Sequence, residues 1–385
     1  MNMRTGIIFS LLMIFGVGIS HAQWFYSFSF DHEYSTNPFR VPEGNSDQVS
    51  QFMISIGREW EQVVARYDAD FIRFQQNSSR NYYWHQFVLS GGDSTIWYIQ
   101  MENRLDRSDY RDYDYFNLAA GLNHQFMVRG NYWRMGANFY LNTYREMSDL
   151  DNFQFNGFFS MTHSFPTRTT FIGTLHLNYK SYLTPYPTEV VPDDASEQFA
   201  EMQQGMGRGR GGWGYVPHSM ETASVSQVVM GLRLAQSIAP HTGVVFQYTG
   251  RFALSNADRT VAGFIPGYSD ESMMFDDPMG YQGHTFGIEI NQILPYFFYL
   301  KLAGYRQWKD YLSQGIYLNE DDYDEGTLRC DDYRTIWVSL RKNWALSDSL
   351  RLVWNVNYRW VDNRSNSYWY QYTNQSLETG IGIEF

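Results

Sequence analysis

The chain ends Leu377-Glu378-Thr379-Gly380-Ile381-Gly382-Ile383-Glu384-Phe385. Leu377, Thr379, Ile381, Ile383 and Phe385 alternate with Glu378, Gly380, Gly382 and Glu384. Successive side chains of an extended strand point to opposite faces, so this period of two gives one apolar face ending on an aromatic ring and one polar or small face. A helix would need its apolar residues three and four apart.

The same period continues upstream. Leu350, Leu352, Trp354, Val356, Tyr358 and Trp360 oppose Arg351, Asn355, Asn357 and Arg359, while Ile336, Val338 and Leu340 oppose Thr335, Ser339 and Arg341. Phe298, Leu300 and Leu302 oppose Lys301, and Phe286, Ile288 and Ile290 oppose Glu289 and Asn291. In the first half of the chain, Phe171, Leu175, Leu177 and Tyr179 face away from Thr174, His176, Asn178 and Lys180. Trp133, Met135, Ala137, Phe139 and Leu141 likewise face away from Arg134, Asn138 and Asn142. These runs have the roughly 9–11 residues that a tilted membrane-spanning strand needs. Short turns at Gly91-Gly92-Asp93, Val128-Arg129-Gly130, Pro166-Thr167, Pro240-His241, Pro295 and Ser347-Asp348 alternate with longer polar segments. The longest of these segments are 36–48, 183–222, 256–281 and 313–331. Taking 24–35 as the first strand, the count is about sixteen; it falls to fourteen if the opening strand and the pair around Arg58 to Glu61 are left out.

At the other end, Arg4 precedes an apolar core from Ile7 to Ile19, then Ser20-His21-Ala22. This is the pattern of a secretory signal peptide over 1–22, with cleavage after Ala22. Removing Arg4 takes the formal charge from -12 to -13, a balance that argues against nucleic-acid binding. A lone Cys330 excludes a disulfide-stapled fold. Past the leader no segment has the roughly 18 consecutive apolar residues of a transmembrane helix. Mean hydropathy is below zero although 18% of residues are aromatic. A barrel accounts for both, since lipid-facing and lumen-facing residues alternate and aromatic girdles mark the membrane interfaces.

The last strand, with Leu377, Ile381, Ile383 and Phe385, resembles the terminal β-signal of outer-membrane proteins. That resemblance implies recognition by the barrel-assembly machinery. The Asn37-Pro38-Phe39-Arg40 turn and the tyrosine-rich strands are similar to barrels of Gram-negative envelopes, which implies location and fold. The expected fold is all-β: a transmembrane antiparallel up-and-down barrel forming one domain over 23–385. Both termini are expected in the periplasm, the long loops outside and lipid around the wall.

The inner face is expected to carry Arg66, Arg104, Arg134, Lys180, Arg233, Arg251, Lys301, Arg341, Arg351 and Arg359, with Asp68, Asp70, Glu102, Glu289, Glu378 and Glu384. About sixteen strands leave an aqueous interior, so these side chains are expected to line a wet pore with a slight anion preference. The opposing reading has them pair and brace a plugged barrel. The Gly-rich run 205–214 reads as an exposed loop or an inward constriction; it lacks the lysine ending of a phosphate cradle. Asp270, Glu271, Asp276, Asp277 and the 320–325 acidic run read as a solvated acidic surface. The acidic run departs from a calcium loop because Tyr323 occupies a ligand position. The histidines are scattered, and no nucleophile elbow, paired-histidine metal motif or cofactor motif occurs, so neither an enzyme nor a cofactor is expected. The leading expectation is a porin-like channel for small hydrophilic solutes. The alternative is a non-conducting anchor whose outer loops bind an envelope or secretion partner.

Overall fold

The computed structural model describes residues 23–184, 186–187, 220–221, 223–255 and 276–385. The leader expected over 1–22, the Gly-rich run 205–214 and the acids Asp270 and Glu271 lie outside the described residues. Sixteen antiparallel strands close into a barrel. The first nine are β1 (Gln23–Ser35), β2 (Asp47–Trp60), β3 (Val63–Phe74), β4 (Tyr82–Gly91), β5 (Thr95–Asp106), β6 (Tyr115–Val128), β7 (Asn131–Tyr144), β8 (Asn152–Ser164) and β9 (Thr169–Tyr182). The rest are β10 (Ser224–Ala239), β11 (Thr242–Ala253), β12 (Tyr281–Leu294), β13 (Phe298–Tyr311), β14 (Cys330–Ala345), β15 (Arg351–Ser365) and β16 (Tyr372–Glu384). The expectation of sixteen therefore holds, and the stretch around Arg58 to Glu61 is the end of β2 and its turn into β3.

Every strand pairs with its sequence neighbours, and β16 returns to β1 in register from Ser27 opposite Glu384 to Ser35 opposite Ser376. Beyond that ladder, the Phe385 and Tyr26 backbones exchange both bonds, at 2.8 and 3.3 Å. Closure removes the edge that an open sheet would present to lipid, where each unsatisfied backbone group costs several kcal/mol. Turn chemistry supports the register at the short-turn end. Between β6 and β7, Arg129 and Gly130 both hold positive φ (51° and 77°), the twist of a two-residue hairpin turn.

The outward face is apolar and exposed: Leu377 is 52% exposed and Phe246 and Phe286 are each 53% exposed. Such a belt would aggregate in water and is the right surface for hydrocarbon. Trp24, Trp60, Phe298, Trp344 and Trp354 face outward at the short-turn end, and Tyr34, Tyr83, Phe252 and Trp308 do so at the loop end. These are the two interfacial girdles. Lys342 faces outward at the first girdle and snorkels: its ammonium bonds the Tyr296 carbonyl and lies 5.4 Å from the Phe298 ring. Short turns join the strands at this end and the long connections lie at the other, the asymmetry of outer-membrane barrels.

Candidate functional site: the barrel lumen

Alternation that sends the apolar residues into lipid sends the polar ones into the lumen. The expected inner-face charges lie there, and most are engaged by a neighbour on the wall. Arg66 donates to Asp68 at 2.9 Å. Glu289 gathers Lys301 at 3.3 Å, Arg233 at 3.7 Å and the Tyr305 hydroxyl at 2.6 Å. Arg351 reaches Glu384 at 3.5 Å. Arg104 is 1% exposed, held to Asp106 at 2.8 Å and stacked 3.7 Å above the Tyr82 ring, so it braces the wall and meets no open water. Arg134, Arg341 and Arg359 have neutral partners instead. Arg134 lies 5.2 Å from the Phe158 ring, Arg341 donates to Asn343 at 3.1 Å, and Arg359 donates to the Tyr333 hydroxyl at 2.8 Å. Arg251 lies 3.4 Å from the Gln227 amide oxygen.

The outer half of the lumen is narrowed by loops that fold inward. After β1, Asn37 is buried and donates to the carbonyls of Val41 (2.7 Å) and Thr373 (3.1 Å), turning the chain back over the mouth. Phe39 then packs 5.3 Å from Phe74, with the Arg80 guanidinium 4.4 Å from its ring. Between β13 and β14, Arg329 is fully buried, bonded to Asp331 at 3.0 Å and to Gln314 at 3.0 Å, and lies 3.4 Å from the Tyr370 ring.

The end of the loop before β12 makes a crossing that the sequence reading missed. Asp276 and Asp277 are only part-exposed, and both reach the inner wall. Asp277 pairs with Lys180 on β9, and Asp276 pairs with Lys309 on β13 at 2.6 Å and accepts the Tyr311 hydroxyl. Two adjacent carboxylates thus tie this segment to strands on two parts of the wall. Gln227, fully buried on β10, secures the chain just after them by donating to the carbonyls of Pro278 (3.2 Å) and Tyr281 (2.7 Å). Burial alone would push the Asp276 carboxyl up, but the Lys309 ammonium and Arg329 guanidinium outweigh it and hold it below the ordinary carboxylate range. The available signal was the pair of inward lysines near the outer ends of β9 and β13, which need counter-charges if they are not to be buried alone.

Two polar chambers flank this arrangement. One, of about 720 Å³, lies against β1, β2 and β12 to β16, and its lining includes Glu33, Arg40, Tyr305, Trp337, Arg359 and Glu378. The other, of about 600 Å³, lies against β4 to β9 and is closed on one side by Asp277, Pro278 and Met279. In the acidic loop after β13, Asp324 caps the Gly326 N–H at 2.8 Å and Asn319 caps Asp321 and Asp322. Among the described residues no group of three or more metal-ligating side chains forms.

No protein-family model and no curated protein matches the chain. Solved structures do. OccAB1 of Acinetobacter baumannii superposes with a TM-score of 0.52 at 8% identity, over 95% of this chain and 97% of that one. OccK1 (OpdK) of Pseudomonas aeruginosa gives 0.49 at 8% identity, over 94% and 98%. The closed sixteen-strand antiparallel barrel of this chain has the fold of OccAB1. At this identity the likeness is one of fold, and the chemistry of the lumen has to be read from this chain's own side chains.

Proposed function

We propose that the protein is a channel that lets small hydrophilic solutes cross the outer membrane. The observation that carries this reading is the pair of polar chambers inside a sixteen-strand wall, because barrels of this size hold more space than side chains fill. The charges of the wall pair locally, and this supports a weakly selective path over one strongly biased to either sign. Outer-membrane lipid is the surrounding partner, and the solute is the cargo; the reading involves no catalytic step.

The test is the purified, folded protein in a planar lipid bilayer. The channel reading expects discrete, voltage-stable current steps. A barrel shown to be folded by heat-shifted electrophoretic mobility, yet electrically silent, would overturn it and leave the anchor role for the outer loops.

A further inference from the structure

The chamber against β4 to β9 differs in chemistry from the rest of the lumen. Its wall is built from carboxamides joined across neighbouring strands. Asn117 on β6 donates to Asn142 on β7, and Asn142 donates to Asn152 on β8 at 3.0 Å. Gln154 donates to the same Asn152 oxygen at 2.9 Å, and Asn156 on β8 donates to Asn178 on β9. Deeper in the lumen, Asn138 donates to Asn156 at 3.1 Å and accepts the Tyr98 hydroxyl at 3.0 Å.

The charges that line this chamber balance: Lys180 and Arg251 against Asp277 and Glu102. Lys180 pairs with Asp277, while Glu102 accepts the Tyr115 hydroxyl at 2.6 Å and Gln100 at 3.1 Å. Trp84, Tyr140 and Tyr144 add aromatic rings to the lining. Arg251 on β11, held by the Gln227 amide oxygen at 3.4 Å, also lines the chamber, so two cations face two carboxylates and an ion of either sign gains little net attraction. The wall offers amide groups that both donate and accept, repeated at the roughly 4.8 Å spacing of adjacent strands. Each amide nitrogen carries two hydrogens and each amide oxygen two lone pairs; Asn152 and Asn156 spend most of theirs within the ladder, whereas the bonds shown for Asn117, Asn142, Asn178 and Gln154 leave capacity for a solute. A hydroxyl also both donates and accepts, and the C–H face of a sugar ring is apolar and suits an aromatic side chain.

We infer that this chamber is a binding site for neutral sugars, of the size of a di- or trisaccharide, on the path of the channel. The volume of about 600 Å³ lies in the range of small-molecule sites. The inference rests on the channel reading for its role in transport, but the binding itself is measured separately.

Calorimetry on the full-length folded protein in detergent, with maltotriose, cellobiose and sucrose as probes and citrate as the anionic control, reads the site directly. Saturable binding of at least one neutral sugar, with citrate at least ten-fold weaker, is expected. The Asn142→Leu/Asn156→Leu variant should weaken sugar binding at least ten-fold. If that variant does not fold, Trp84→Ala, which leaves the amide ladder intact, is expected to weaken binding too. Absence of saturable heat for all three sugars, or citrate binding as tightly, overturns the inference. Planar-bilayer current is recorded in parallel: steps that no sugar blocks count against the site while leaving the channel standing. Saturable binding to a silent barrel overturns the channel and keeps the site.

Discussion

Asp276 and Asp277 show how much one pair of side chains decides. Each places a carboxylate against a lysine that would otherwise be buried without a counter-charge. Bonds to charged groups contribute about 1.5–3 kcal/mol each, and Asp276 keeps 31% of its side chain exposed, so about 1–2 kcal/mol is the expected share of the Lys309 contact. Asp276→Asn combined with Asp277→Asn should release the crossing, and single-channel conductance should rise; an unchanged unit conductance would show that the crossing does not restrict the path. The pH dependence has a definite sign. Asp276 titrates below its unfolded value of about 3.9, so its stabilisation is complete above that value and is lost as pH falls through the lower, folded one. Conductance should therefore be flat from neutral pH to about pH 4 and rise only in stronger acid, a profile that the double asparagine variant should lack.

At the scale of elements, β16 shows what the sequence made legible. Leu377, Ile381, Ile383 and Phe385 face lipid, and Glu378 faces the lumen, as the period of two requires. Leu377 sits midway along the strand, where an arginine on the lipid face costs about 2–4 kcal/mol. Leu377→Arg should lower the stability of the barrel in lipid vesicles by that amount, measured by urea unfolding, while Glu378→Gln on the opposite face should change it by less than about 1 kcal/mol. Similar losses for both would refute the assigned phase. Removal of Phe385 should reduce the yield of folded barrel in the outer membrane, because it deletes both the terminal aromatic and the last backbone bonds to Tyr26. Strands were readable because one face meets hydrocarbon and the other water, which writes the alternation directly into residue type. The inward loops were not. Their positions follow from single contacts far apart in sequence, such as Asn37 with Thr373 and Asp277 with Lys180, and no period announces them. The amide ladder falls between these cases: Asn138, Asn142 and Asn178 were read as inner-face residues, but their linkage needs the register of four strands.

For the whole molecule the balance of charge inside the barrel matters more than the formal -12 of the chain. The acidic excess is partly spent in the outer loops, around Glu320 to Glu325, and in ion pairs along the wall. Among the described residues, the inner-face cations shown with neutral partners, Arg134, Arg251, Arg341 and Arg359, slightly outnumber the carboxylates so placed, Asp31, Glu102 and Glu378. So small a basic excess in an aqueous lumen produces a weak field, screened over about 10 Å at 0.1 M salt. Reversal potentials in a potassium chloride gradient should therefore show a slight anion preference at low salt that fades toward 1 M, where the screening length is about 3 Å. Replacing Arg134, Arg341 and Arg359 together by glutamine should abolish that preference without lowering unit conductance. Deletion of residues 190–220 should leave both the steps and the preference in place, because the paired and unpaired charges that set them lie on the strands. If the deletion instead removes the current, the path depends on that loop, and selectivity has to be sought there and not on the wall.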